Sequence, residues 1–147
     1  MSRPSLRRLV AGVLPLGVLA VGATGCAGTA VTADRLEESV ASSFTRTYTW
    51  QQELLGRPRP HDLQTQARCV RGTSGEHGAG SDWTCTVQYL ESAADNPVTF
   101  SYDVSVHPDL CWTAENGPRA LGGATIETAA GTSVPNPVYA VDSCFQP

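Results

Sequence analysis

Residues 98 to 107 read "VTFSYDVSVH", and their strict alternation decides the fold class. Val98, Phe100, Tyr102, Val104 and Val106 fall on one side of an extended chain, with Thr99, Ser101, Asp103, Ser105 and His107 on the other. Successive side chains of a strand point to opposite faces, so a period of two predicts one buried and one wet face. That is the pattern of an antiparallel sheet.

The same period surrounds this segment. Asp95-Asn96-Pro97 supplies a turn before it. Upstream, Trp83, Cys85, Val87 and Tyr89 of "WTCTVQYL" (83–90) share a face, opposite Thr84, Thr86 and Gln88. "ARCVR" (67–71) and this segment flank the polar loop "GTSGEHGAGSD", which predicts a hairpin with one cysteine on each arm. Downstream, His107-Pro108-Asp109 turns the chain into "LCWTA" (110–114). Residues 115–137 are rich in Gly, Pro and Thr, with one short strand expected near 124–128, and "VYAVDSCF" (138–145) reads as the last strand.

Ahead of the strands the period is helical. Leu36, Val40, Phe44 and Tyr48 recur every four residues as one apolar stripe, and Leu54 and Leu55 continue the pattern. Thr32 caps this helix with Val31 and Leu36 as a hydrophobic staple, or else Asp34 to Glu37 forms a capping box. Thr45, Thr47 and Thr49 are weak helix formers, so a kink or early stop is expected in the second half. Gly56, Pro58 and Pro60 end it. A helix followed by a run of strands indicates α+β: one N-terminal amphipathic helix across an antiparallel sheet of four or five strands.

The chain has 147 residues, room for one small domain. Its ten basic residues are all arginine, and Arg3, Arg7 and Arg8 precede every acid. The run "LVAGVLPLGVLAV" (9–21) follows these arginines. A positive start, a short apolar core and small residues at its end describe a secretory signal. A transmembrane helix needs ~20 apolar residues; this run is shorter, with Pro15 and the glycines Gly12, Gly17 and Gly22 in or beside it. Without residues 1–25 the chain keeps seven arginines against fourteen acids, a formal charge of −7. Such a body is unsuited to nucleic acid or anionic membrane surfaces, which need clustered positive charge.

Ala23-Thr24-Gly25-Cys26 resembles the lipobox of bacterial lipoprotein precursors. The resemblance implies a diacylglyceryl group on the Cys26 sulfur and cleavage before it, giving a signal peptide (1–25), a lipidated tether (26–32) and a single domain (33–147). Ala23 stands where leucine is more usual. Two acyl chains suffice for stable anchoring.

Cys69, Cys85, Cys111 and Cys144 remain, an even number in an oxidising compartment, which predicts two disulfides. Four cysteines allow three pairings. The hairpin favours Cys69–Cys85, and Cys111 then pairs with Cys144. Zinc is the rival, but no C-x-x-C spacing supports it.

From Cys26 through the helix (36–55), Cys69 and Cys85-Thr86-Val87, the layout resembles a group of small actinobacterial envelope lipoproteins of unknown function. The later "YDVSVHPDLCWTA" and "NPVYAVDSCF" resemble segments of other such lipoproteins. The resemblance implies a location outside the cytoplasmic membrane and no established activity, catalytic residue or cofactor.

His61, His77 and His107 show neither metal spacing nor a local nucleophile, and no G-x-S-x-G, H-E-x-x-H or phosphate-binding loop occurs. Trp83 and Trp112 fall on strand faces and are expected in the core. Trp50 lies in "YTWQQELLGRPRP" with Arg57 and Arg59, residue types enriched at binding hot spots, so these three are the candidate partner contact. Three readings follow: a non-enzymatic module binding an envelope protein or component, a small-ligand or lipid carrier with a pocket between helix and sheet, and a small hydrolase. Size, anchor, disulfides and missing catalytic motifs favour the first.

Overall fold

A computed structural model describes residues 31–72, 77–92 and 94–145. Helix α1 (Ala33–Leu54) is followed by strands β1 (Gln64–Arg71), β2 (Gly80–Leu90), β3 (Val98–Val106) and β4 (Cys111–Glu115). A short 3-10 turn (Arg119–Leu121), β5 (Thr125–Glu127), β6 (Ser133–Pro135) and β7 (Val141–Cys144) complete the chain. The main sheet runs β1-β2-β3-β4-β7, every neighbour antiparallel, and β5 pairs with β6 as a separate two-stranded ribbon. The fold is α+β, as the switch of period predicts.

Helix α1 starts where Thr32 Oγ1 accepts the Arg35 N–H at 3.3 Å, with Val31 and Leu36 both buried. Of the two capping arrangements open in the sequence, this is the Thr32 cap. Val31 and Thr32, assigned above to the tether, belong to the domain: Gly78 N donates to Val31 O at 2.8 Å and Thr32 bridges to His77. The early stop open in the sequence does not occur: the helix runs on to Leu54, past the threonines. Thr45 donates to Ala41 O and Thr49 to Thr45 O, the back-bonding open to mid-helix threonines. The helix ends at Gly56 (φ 68°), where Gly56 N reaches Glu53 O and Arg57 N reaches Gln52 O. Those two bonds make a Schellman motif, which needs the left-handed residue that glycine supplies.

The helix packs against β1, β2 and β7. Since β1 and β7 are the two edges of the sheet, the sheet curls until both edges meet the helix, which fills the seam. At one edge Glu37 Oε1 accepts the Cys69 N–H at 3.0 Å, a group facing away from β2. A carboxylate there occupies an edge donor that would otherwise invite another strand.

Inside lie Leu36, Val40, Phe44 and Tyr48 from the helix, facing Trp83, Val87, Tyr89, Tyr102, Val104 and Trp112. Phe44 is central, its ring centroid 5.1 to 5.5 Å from those of Tyr48, Tyr89 and Phe100. Such tilted and offset aromatic pairs contribute ~0.5–1.5 kcal/mol each beyond area burial.

The disulfides are Cys69–Cys85 and Cys111–Cys144, each joining residues directly opposite in adjacent strands. They lie on different faces: Cys69 and Cys85 are buried in the core, whereas Cys144 is exposed on the wet side. The last strand is shorter than expected, since Val138 to Ala140 form a turn. The reason is Gly117, whose N–H donates to Tyr139 O at 2.9 Å while its backbone passes so close that a Cβ would lie 2.2 Å from Val138 O. That crossing holds 138–140 against residue 117 instead of in the sheet.

Candidate functional site

The apolar stripe of α1 points to residues 51 and 52 as its next buried positions, and glutamines stand there. Gln51 and Gln52 are buried, with Asn136 beside them. Gln51 Nε2 donates to Leu121 O at 2.6 Å and to Asn136 Oδ1 at 2.8 Å, and Gln52 Nε2 donates to Gln51 Oε1 at 3.2 Å. Asn136 Nδ2 in turn reaches Gly123 O at 2.9 Å. These buried amides accept and donate among themselves and to the Leu121 and Gly123 carbonyls of the irregular connection that crosses the helix end. Leu54 and Leu55 are only half-buried, so the apolar continuation expected at those positions is replaced by this polar network. The glutamines were visible in the sequence; Asn136, the partner of Gln51 and 85 residues beyond it, was not.

A second polar cluster ties α1 to the end of β2. The Tyr48 hydroxyl donates to Glu91 Oε1, and the Tyr48 and Tyr89 rings lie 5.1 Å apart. Burial, then the bond to Glu91, raises the Tyr48 phenol well above its ordinary value. Burial raises Tyr89 as well, and it alone raises Tyr102, whose hydroxyl donates to Val138 O at 2.7 Å. Phenols held protonated in this way serve as hydrogen-bond donors.

Trp50, Arg57 and Arg59 cluster around the last turns of α1. Trp50 is 55% exposed. Helical spacing puts Arg46 one turn before it and Glu53 one turn after on the same face. Arg59 folds back to pair with Glu53, Arg57 Nη1 reaches Gln52 Oε1 at 3.5 Å, and Arg46 Nη2 donates to Ser43 Oγ at 3.0 Å. Trp50 thus stands exposed on the helix face that Arg46 and the Glu53–Arg59 pair share, whereas Arg57 leans toward the buried Gln52.

Open grooves flank the helix, among them one of about 470 Å³ beside Asp34, Glu37, Arg68 and Trp83. Another, of about 940 Å³, lies between α1 and β1, with Asp34, Glu37, Glu38, Thr45, Gln66 and Arg68 on its walls. A third, about 320 Å³, lies between α1 and β7 beside Arg35, Arg46, Ser143 and Phe145. The space directly beneath the helix is filled by the aromatic core.

His61, His77 and His107 are exposed; His61 and His77 accept hydrogen bonds through their backbone carbonyls, from Ser92 Oγ and Arg71 Nη1. Among the described residues, no group of three or more His, Cys, Asp or Glu could hold a metal ion. The same residues contain no helix long and apolar enough to cross a membrane. Cys26, expected to be lipidated, and Ala23, Thr24 and Gly25, expected to form its lipobox, lie outside the described residues. Compared with known protein families, curated proteins and solved structures, the chain finds no match.

Proposed function

We propose that the protein is a lipid-anchored extracytoplasmic domain that acts by binding an envelope protein and not by catalysis. The supporting observation is the use of its cysteines. All four among the described residues are joined in disulfides, which persist in oxidising compartments. The sequence holds one more cysteine, Cys26, at the end of the apolar leader and behind small residues. A thiol spared from the disulfide framework and placed there suits acylation.

The binding surface in this reading is the end of α1 carrying Trp50, with Arg59 paired to Glu53 one turn on and Arg57 on the segment that follows. An exposed tryptophan held on a rigid helix loses little conformational freedom on docking, and arginine beside it adds directed donors. The experiment is in-cell crosslinking of the anchored protein followed by mass spectrometry, with Trp50→Ala and Cys26→Ser as comparisons. The proposal expects one dominant protein partner whose capture needs both residues. Capture unaffected by Trp50→Ala would remove that surface from consideration, and recovery of co-purifying lipid in place of a protein partner would favour the carrier reading.

A further inference from the structure

The place where the tether enters the domain is fixed by bonds. Val31 O accepts Gly78 N, Thr32 bridges to His77, and Arg71 holds the same loop through His77 O at 2.6 Å and Ala79 O at 2.8 Å. Arg71 is itself paired with Asp82 at 2.8 Å and lies over the Trp83 ring. Four residues separate Cys26 from Val31, so the Cys26 Cα stands no more than ~18 Å of extended chain, five steps, from this junction.

We infer that the bilayer faces the pole of the domain formed by the tether junction, the base of the β1–β2 hairpin and the β3–β4 turn. The opposite pole, with Trp50, then points away from the membrane. This rests on the lipid anchor proposed above. The strand ends agree on one pole: Gly80 of β2 pairs with Val106 of β3, and Cys111 of β4 with Cys144 of β7. Along the helix, Trp50 lies 18 residues beyond Thr32, or ~27 Å at 1.5 Å per residue. A helix rooted at the tether therefore carries Trp50 above the headgroups, where its partner is a protein standing off the membrane and not lipid.

The three tryptophans form a built-in ruler. Trp83 Nε1 donates to Gly78 O at 3.3 Å, beside the junction, and Trp112 Nε1 donates to Ser39 Oγ at 2.8 Å, on the second helical turn. Both are near the proximal pole and Trp50 is distal.

The test places the lipidated protein in neutral phosphatidylcholine vesicles carrying dansyl-lipid and measures energy transfer from tryptophan, with Trp50→Phe as comparison. That substitution sits at an exposed position and leaves the fold intact. Removing the distal donor should raise the mean transfer efficiency. An unchanged or lowered efficiency in protein that stays on the vesicles overturns the orientation. Protein that does not stay on them, lipidated wild type and Cys26→Ser behaving alike, overturns the anchor and the orientation with it.

Discussion

Replacing each disulfide by an alanine pair separates two contributions that rank the bridges in opposite orders. The bridges span 16 and 33 residues of chain. In the loop-entropy model these lengths stabilise by ~3.1 kcal/mol for Cys69–Cys85 and ~3.7 kcal/mol for Cys111–Cys144. Burial reverses the order. Cys69 is 3% exposed and Cys85 fully buried, whereas Cys111 is half-buried and Cys144 exposed. Removing two core sulfurs costs a further ~1 kcal/mol each, by analogy with deleting a buried methylene. The Cys69→Ala/Cys85→Ala protein should therefore lose roughly 5 kcal/mol against roughly 3.7 for Cys111→Ala/Cys144→Ala. Urea unfolding followed by tryptophan fluorescence measures both. Since ~5 kcal/mol is a large part of a small domain's stability, a variant below its folding threshold is placed on the scale by adding back a stabilising osmolyte. Greater damage from removing Cys111–Cys144 would refute the core placement of the first bridge.

Three further outcomes follow from the packing. Gly117→Ala would set a methyl against Val138 O and the Tyr139 backbone, which cannot yield as a side chain can. A loss of ~2 kcal/mol or more is expected in the same urea assay, and a neutral result would contradict the crossing of these segments. Gln51→Leu strips Gln52 and Asn136 of a partner each and should cost ~1–3 kcal/mol; a gain in stability would mean the amide network is dispensable. For pH, Tyr48, Tyr89 and Tyr102 hold their protons above the ordinary value of 10.0. The unfolded chain releases those protons first, so stability is whole below about pH 10 and falls above it. The slope is up to ~1.4 kcal/mol per pH unit per phenol. Urea midpoints between pH 9 and 11.5 should decline, less steeply in Tyr102→Phe; a flat profile would contradict the burial of these rings.

The elements legible in the sequence were those with a strong local period. The four-residue stripe from Leu36 to Tyr48 and the alternation from Val98 to Val106 each bury one face, and both disulfides follow from the hairpin between Cys69 and Cys85. What escaped was decided by distant contacts. The two edges of the sheet meet the helix because the strands curl, which no local pattern records. Val138 to Ala140 look like strand but are held off the sheet by Gly117, more than 20 residues earlier in the chain. Gln51 and Gln52 look like a solvated helix end until Asn136 is brought to them. Of the candidate contact, the exposure of Trp50 was readable from its place outside the apolar stripe, whereas the pairing of Arg59 with Glu53 depends on the turn at Gly56.

The intact mass of the protein extracted from membranes tests the proposed Cys26 anchor most directly. A chain beginning at Cys26, carrying the mass of a diacylglyceryl group and two disulfides, is the predicted result, with none of that species from Cys26→Ser. A chain retaining residues 1–25, or one with an unmodified Cys26, would contradict the anchor and the orientation built on it.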